Sequence, residues 1–401
     1  MAVFSRFAAA ILVAGSLASA SVATAQAVPS VARPAAGSLD PAARGDDATL
    51  TGVSCLSRVF CEASGFYVAL AEGGVVFGLN EVWNGHSWTN QIVPGLSTNS
   101  NVLDAIAISC GTTTMCMLVG EHYSNASRPV QFAEIAGGLG SPLIWNNPVG
   151  ARSSLLDDVK CVGATFCMAV GTYSTTASRG RVLAQLWNGS TWHRLSPPSP
   201  AKSLNSVLGE LSCLSASDCF ALGVRETPAR NFVSFAERWN GHGWRLSAVP
   251  SVRGERDTVL NDVSCTSPSV CEAVGFSARP STHPLVMRFS KGSWTTQRTP
   301  KVGTASFNSL ACPSSTSCIA VGSRGLRALA ERWNGTRWIL TAAYQTGLGY
   351  PDDNLIHVSC ISTSHCVAVG IRYNAKVRFN NHTLAEGWNG STWQLQTSVN
   401  P

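Results

Sequence analysis

The chain has 401 residues, 45% hydrophobic and 13% charged, so it can bury a core and carries too few charges for a disordered protein. Its 29 basic residues stand against 23 acidic ones without a dense Lys/Arg run, which argues against nucleic acid as a partner. Its 14 cysteines include no C-x-x-C spacing. This excludes zinc ribbons and thioredoxin-like redox chemistry and predicts paired disulfides in an oxidising compartment.

The first 25 residues have the composition of a secretory signal peptide. Arg6 supplies a positive charge, an apolar segment runs over residues 7–17, and small residues place the cleavage site after Ala25 or Ala27. Residues 26–48 are rich in Pro and Ala without periodicity, which predicts a disordered linker. No later segment approaches the roughly 20 apolar residues of a membrane span. The sequence therefore predicts a secreted protein without a membrane span.

Beyond residue 48 the chain repeats itself seven times. Each repeat has two cysteines with five residues between them, and successive first cysteines are 55, 51, 52, 52, 47 and 48 residues apart. A period of about 50 residues is typical of β-propeller blades. We expect one propeller domain over residues 49–401, with blades over 49–98, 99–150, 151–201, 202–253, 254–302, 303–347 and 348–401. The predicted disulfides are Cys55–Cys61, Cys110–Cys116, Cys161–Cys167, Cys213–Cys219, Cys265–Cys271, Cys312–Cys318 and Cys360–Cys366.

One repeat reads as four antiparallel strands, which we name a to d. Strand a enters the first cysteine, and strand b opens with the second cysteine in C-x-A-V-G. Facing positions in such a hairpin lie roughly 4.5–5.5 Å apart, within disulfide reach. Strands c and d flank the turn in Trp-Asn-Gly-x-x-Trp, a strong hairpin signal because both central residues tolerate positive φ. The predicted fold is all-β, a seven-bladed β-propeller with one a–b hairpin disulfide in each blade.

This order of an A-V-G strand, a strand with Glu and a Trp-bearing outer strand resembles the kelch type of β-propeller. The N-G-S-T-W ending is distantly similar to the Asp-box turn of sialidase-type propellers. Both resemblances imply that strand a lines a central channel and that the b–c and d–a loops form the ligand-binding face. They imply no activity. Every cysteine already has a partner in its repeat, which disfavours the Tyr–Cys copper chemistry of kelch-type oxidases.

Arginines are concentrated in the predicted b–c loops. Because a guanidinium offers planar bidentate donors, such a rim could recognise carboxylate or sulfate groups, although polar loops also need charges for solubility. The candidate ligand-binding residues are Arg128, Arg179, Arg181, Arg230, Arg279, Arg327, Arg372 and Arg378, with Arg225, Arg324 and Lys376 in the same loops.

Three acids occupy one register of strand a, three residues before the first cysteine, in blades 3 to 5. Asp158, Glu210 and Asp262 could bind Ca²⁺ or share acid/base work on a glycoside, and a wet channel lining explains them equally simply. Glutamates recur two residues before the first Trp. We interpret both these glutamates and the tryptophans as structural residues of the repeat.

The leading hypothesis is a monomeric, secreted, non-enzymatic propeller. It binds a glycan or protein ligand, anionic ligands included, through its variable loops and without a required cofactor. The alternative is a propeller glycoside hydrolase or lyase that uses the acids of strand a. A structural cell-envelope protein without a small ligand is the third possibility. The sequence assigns no metal ligands, and its histidines show no ligand spacing.

Overall fold

A computed structural model describes residues 47–69, 75–91, 102–123, 129–136, 143–144, 147–175, 179–343, 352–373 and 381–399. The predicted signal peptide and nearly all of the predicted linker lie outside these residues. Within them the chain forms strands and turns only, and no helix is long and apolar enough to cross a membrane.

The first four blades each contain four strands in chain order. Blade 1 has β1 (Asp47–Ser57), β2 (Phe60–Ala69), β3 (Val75–Trp83) and β4 (Trp88–Asn90). Blade 2 has β5 (Val102–Thr112), β6 (Met115–Tyr123), β7 (Pro129–Ile135) and β8 (Leu143–Ile144). Blade 3 has β9 (Ser153–Cys161), β10 (Cys167–Ser174), β11 (Gly180–Trp187) and β12 (Trp192–Leu195). Blade 4 has β13 (Asn205–Ser215), β14 (Asp218–Glu226), β15 (Phe232–Trp239) and β16 (Trp244–Ala248).

The last three blades repeat this order. Blade 5 has β17 (Asp257–Ser267), β18 (Val270–Ala278), β19 (Thr282–Ser290) and β20 (Ser293–Gln297). Blade 6 has β21 (Ala305–Ser314), β22 (Ser317–Arg324), β23 (Arg327–Trp333) and β24 (Trp338–Thr341). Blade 7 has β25 (Asp352–Ser362), β26 (His365–Tyr373), β27 (His382–Trp388) and β28 (Trp393–Gln396). The predicted fold class is therefore confirmed, with β1 taking in the last two residues assigned to the linker.

The seven blades close into a ring around their first strands. Each strand a contacts the strand a of the next blade, and β25 of blade 7 contacts β1 of blade 1. All 14 cysteines form the seven predicted disulfides. Strand a ends where strand b begins, and strand c ends where strand d begins, at one end of each blade, which we call the hairpin face. The opposite end, where strands b and d end and strands c and a begin, is the loop face.

A β-bulge in strand a explains the glycine of the A-V-G motif. In every blade the register shifts four residues before the first cysteine, next to the residue that pairs with this glycine. A Cβ on Gly171 would lie 2.0 Å from the Leu155 carbonyl oxygen, and one on Gly370 equally close to that of Asn354. The bulge bends the inner strand and leaves no space for a side chain there.

The tryptophans pack between neighbouring blades. The first Trp of strand c lies beside the second cysteine and faces the second Trp across the c–d turn, as in Trp187 and Trp192. Trp239 of blade 4 packs with Phe166 and Met168 of blade 3. The second Trp can also bond to the preceding blade: Trp338 Nε1 of blade 6 donates to Gln297 Oε1 of blade 5 at 2.6 Å. The indoles are therefore scaffold, as predicted, and some of their N–H groups add hydrogen bonds to the apolar packing.

The Asn-Gly turns differ from the prediction in one respect. The glycines have φ between 91° and 101°, but the asparagines do not have positive φ. Instead the asparagine carboxamide accepts main-chain bonds within the turn, as Asn240 Oδ1 does from His242 and Gly243 at 3.0 and 2.9 Å. This local bonding, rather than a left-handed backbone, selects asparagine at that position.

Candidate functional site

The acids of strand a connect one blade to the next. Asp158 Oδ2 in blade 3 accepts a 2.8 Å bond from the Leu211 main-chain N–H in blade 4. Asp262 Oδ2 in blade 5 accepts from Leu310 N–H and from Ser309 Oγ in blade 6, both at 2.7 Å. Both aspartates are nearly fully buried. Their carboxylates thus satisfy main-chain amides that the ring would otherwise bury without partners.

Serine and histidine in the same register make the same bond. Ser309 Oγ accepts from Val358 N–H at 3.2 Å between blades 6 and 7, and His357 Nδ1 accepts from Val53 N–H at 3.3 Å between blades 7 and 1. Aspartate, serine and histidine share only an acceptor atom at this position. The aspartates therefore act here as hydrogen-bond acceptors, which is a structural use.

Burial also changes the acidity of Asp262. Burial away from solvent raises the pKa of this carboxyl to about 6. The nearby Lys160 charge and the hydrogen bonds from Ser309 and Leu310 oppose the rise. Asp158 lies 3.7 Å from the Lys160 ammonium, at Oδ1. Glu210 is half-buried in blade 4.

A second set of bonds between blades was missed by the sequence reasoning. The serine just before the first cysteine accepts the main-chain N–H of the first cysteine in the next blade. Ser212 Oγ accepts from Cys265 at 2.9 Å, and Ser54, Ser109, Ser264 and Ser359 make the same bond at 2.9–3.0 Å. Lys160 and Ala311 occupy this position in the other two blades. The repeated Ser-Cys doublet was the available signal.

Two glutamates of strand c are buried without a bonding partner. Glu237 and Glu331 are fully buried, and neither carboxyl oxygen of either has a hydrogen bond. Burial raises the pKa of both to about 8. The equivalent Glu81 also has a pKa raised by burial to about 8, but it accepts a 3.3 Å bond from Val399 N–H at the end of blade 7.

Proline explains the missing bonds. Val399 stands six residues after Trp393, and the equivalent positions after the second Trp of blades 3 and 5 are Pro198 and Pro300. Proline has no N–H to donate. Glu237 and Glu331 therefore lack the main-chain donor that Glu81 has, and burial alone sets the direction of their pKa shift.

The candidate arginines differ in their availability. Arg128 and Arg378 lie outside the described residues. Arg372 Nε pairs with buried Asp353 Oδ1 at 3.3 Å, and only 15% of its side chain is exposed. Arg181 is half-buried. The exposed candidates are Arg179, Arg230, Arg279 and Arg327.

Two of these arginines meet on the loop face at blades 4 and 5, together with one that sequence reasoning missed. Arg256, in the d–a connection, donates from Nη2 to the Arg230 carbonyl at 3.1 Å. Arg279 Nη1 donates to the Gly254 carbonyl at 3.4 Å. The side chains of Arg230 and Arg256 are 72% and 59% exposed. We call Arg230, Arg256 and Arg279 the arginine rim.

Strand pairing joins the two blades next to the arginine rim. Val233 of β15 pairs in parallel with Thr258 of β17, which joins the sheets of blades 4 and 5. Phe232 N–H donates to Asp257 Oδ1 at 2.8 Å across this junction. Arg230 also binds buried Glu226 at 2.7 Å through Nη1, which leaves its other N–H groups facing solvent.

One cluster has the residue types of a metal site but cannot act as one. Glu62 lies beside Cys110 and Cys116. These two cysteines form a disulfide, so they have no thiolate to offer a metal. Glu62 instead accepts a 2.7 Å bond from the Asn80 carboxamide.

No protein-family model and no curated protein matches the chain. Solved structures do match: an ulvan lyase of polysaccharide lyase family PL25, bound to -[GlcA(1-4)Rha3S]-, is 8% identical, with a TM-score of 0.54 over 85% of this chain and 92% of that one. YCF48 bound to D1 peptide is 12% identical, with a TM-score of 0.49 over 80% and 90% of the two chains. The fucose-specific lectin of Aleuria aurantia is 9% identical, with a TM-score of 0.41 over 74% and 94%. The chain is a β-propeller, and these neighbours do not confirm a kelch- or sialidase-type family.

Proposed function

We propose that the protein is a secreted, monomeric, non-enzymatic propeller that binds an anionic glycan through the loop face. The observation that carries this proposal is the arginine rim at blades 4 and 5, where three exposed arginines lie next to paired strands and each main-chain N–H is hydrogen-bonded. Guanidinium groups recognise carboxylate and sulfate in planar, bidentate geometry. Seven disulfides fit an oxidising, extracellular setting.

A row of cations suits a polymer with repeated charges. Arg230, Arg256 and Arg279 come from three successive connections, so a chain of acidic sugars could contact them in turn. The other described candidates, Arg179 and Arg327, lie on the loop face of blades 3 and 6. A protein ligand with an acidic segment is the second outcome that the experiment below can identify.

The glycoside hydrolase or lyase alternative depends on the acids of strand a. The main-chain bonds accepted by Asp158 and Asp262 support a structural role for these two residues. A catalytic carboxylate must reach the substrate, and nearly full burial works against that. These contacts favour the binding proposal.

A glycan array that includes heparin and polygalacturonate tests the proposal. The wild type should bind acidic glycans, and the triple substitution Arg230→Ser, Arg256→Ser and Arg279→Ser should weaken binding at least about tenfold, or about 1.4 kcal/mol. Parallel arrays with and without calcium test the calcium hypothesis. The matched control replaces three exposed arginines elsewhere, Arg194, Arg245 and Arg337, so that net charge falls equally.

Three outcomes separate the alternatives. Binding to an acidic protein but to no glycan would transfer the proposal to a protein ligand. Shortened polysaccharide products, lost in the combined Asp158→Asn, Glu210→Gln and Asp262→Asn variant, would establish the enzyme instead. Equal binding by the rim variant and the wild type would overturn the proposed site.

A further inference from the structure

A pocket of about 270 Å³ lies on the hairpin face between blades 7 and 1, at the opposite end of the blades from the arginine rim. Its walls include Arg58 and Trp83 from blade 1 and His365, Gly387 and Gln396 from blade 7. The volume is just below the range of drug-sized ligand sites, so it suits a single ring. The pocket combines an aromatic surface with a few polar groups.

Gly387 opens this pocket. The residue just before the first Trp of strand c has a side chain directed at the following blade, and Gly387 is the only glycine at this position in the seven repeats. The equivalent residues are Val82, Ile135, Leu186, Arg238, Arg288 and Arg332. In blade 4 the Arg238 guanidinium pairs with Asp218 at 3.1 Å, and Asp218 is the blade-4 equivalent of His365.

The backbone does not require glycine at position 387. Its φ lies outside the left-handed region, and the residue pairs regularly with Val367 and Gln394. A Cβ there would lie 2.7 Å from Gln396 Nε2, the end of a flexible side chain. The missing side chain therefore creates space between the blades without relieving backbone strain.

Two further departures from the repeat converge on the same space. Arg58 stands three residues after the first cysteine, where the other repeats have Thr, Ala, Pro or Ser. His365 stands just before the second cysteine, and no other repeat has histidine there. Residues 58 and 365 are far apart in sequence and meet only because the ring closes between blades 7 and 1. Gly387, Arg58 and His365 each differ from the residues that the other six repeats have at the same position. Three such departures around one pocket are hard to explain by a structural role in the repeat.

The polar groups of the pocket are oriented for an anion. Trp88 Nε1 donates to Gln396 Oε1 at 3.1 Å, which directs the Gln396 amide nitrogen toward Gly387. The Trp83 indole is fixed by a 3.1 Å bond to the Arg58 carbonyl. Arg58 is exposed, and no carboxylate of the described residues forms an ion pair with it. Burial, and secondarily the Arg58 charge, lower the pKa of His365.

We propose that this pocket binds one carboxylate-bearing sugar unit, with Arg58 on the carboxylate, Gln396 and His365 on hydroxyl groups, and Trp83 against the ring. Arg58 supplies charge-assisted donors, and the indole supplies a flat apolar surface for the C–H groups of a sugar. The pocket is a second site that does not depend on the arginine rim.

Titration with methyl β-D-glucuronide, followed by calorimetry and tryptophan fluorescence, tests this site. The wild type should bind in a saturable manner and should bind methyl β-D-glucoside at least about tenfold more weakly, because the glucoside lacks the carboxylate. Gly387→Leu, which introduces the residue of blade 3, should weaken glucuronide binding at least as much. Arg58→Thr, which introduces the residue of blades 2 and 7, should do the same without entering the core.

The controls assign any loss of binding to one face of the ring. Arg337→Ser removes an exposed arginine from the hairpin face of blade 6 and should bind like the wild type. The arginine-rim variant should also retain glucuronide binding. Thermal melting shows whether Gly387→Leu is folded, and Arg58→Thr alone decides the question if it is not.

Four results would overturn the proposal. They are no saturable binding of the glucuronide to the wild type, equal affinity for the glucoside, unchanged binding by Arg58→Thr, and loss of binding in the arginine-rim variant only. The last result would leave the proposed function of the loop face standing.

Discussion

Asp262 in blade 5 accepts a 2.7 Å hydrogen bond, through Oδ2, from the main-chain N–H of Leu310 in blade 6. The bond is buried and crosses the interface between two blades that share no strand pairing. Asp262, on the innermost strand of its blade, therefore connects blade 5 to blade 6.

Removal of this carboxylate should destabilise the fold. Asp262→Ala leaves the buried Leu310 N–H without an acceptor, and we expect a loss of about 1–3 kcal/mol in the free energy of unfolding. Denaturant titration measures the loss, with the exposed Ser251→Ala as control. Ligand binding at the loop face should not change. A stability equal to that of the wild type would show that the bond contributes nothing.

A missing bond between blades can be added. Ala311 occupies the position from which serine reaches the next blade, and Ala311 and Cys360 pack against the same hydrophobic cluster between blades 6 and 7. We expect Ala311→Ser to stabilise the protein by about 0.5–1.5 kcal/mol, the usual net value of one hydrogen bond. The reverse change, Ser264→Ala, should destabilise by a similar or larger amount. A melting temperature above that of the wild type for Ala311→Ser and below it for Ser264→Ala would confirm the role of the Ser-Cys doublet. Changes in the same direction for both variants would refute it.

The buried glutamates should make stability depend on pH. Burial raises the pKa of Glu237 and Glu331 to about 8, against 4.5 for the free residue. Between these values the folded state binds more protons than the unfolded state, so stability falls as pH rises from about 4.5 to about 8. Glu237→Gln keeps the shape, cannot ionise, and should reduce this slope.

Unfolding free energies at pH 5, 7 and 8.5 measure the slope. The free energy of unfolding of Glu237→Gln should rise relative to that of the wild type as pH rises. The difference between the two proteins should be smallest at pH 5. Glu226→Gln is the control, because the Glu226 carboxylate has a charged partner in Arg230, whereas Glu237 has no bonding partner. A parallel pH dependence in Glu237→Gln and the wild type would contradict the assignment of a buried neutral carboxyl.

The disulfides should contribute a large part of the stability. A bridge that closes about seven residues is worth roughly 2.4 kcal/mol in the chain-entropy model. Replacement of Cys312 and Cys318 by alanine should therefore cost about that much, and reduction of all seven bridges should unfold the ring. Mass analysis without reductant should find no free thiols. An unchanged melting temperature after verified reduction would contradict this account.

The repeat made the fold predictable from sequence, whereas the roles of its residues depended on contacts between blades. Cysteine spacing placed every hairpin, because a disulfide over five intervening residues tolerates few geometries. Asp262 could not be interpreted in this way, since its partner is a main-chain N–H 48 residues away. The pocket at Gly387 had a visible signal in three departures from the repeat, but only ring closure brings Arg58 to His365. Arg256 was not predicted because it lies in a d–a connection, whereas the arginine-rich segments of the sequence are the b–c loops.

The most direct test of the central claim compares the affinity of the wild type and the arginine-rim variant for polygalacturonate, by calorimetry in the same buffer. The binding propeller that we propose predicts saturable binding by the wild type, at least about tenfold weaker binding by the rim variant, and no shortening of the polymer. The charge-matched control at Arg194, Arg245 and Arg337 should bind like the wild type. Equal affinities for the rim variant and the wild type, or release of shortened polymer by the wild type, would contradict the account.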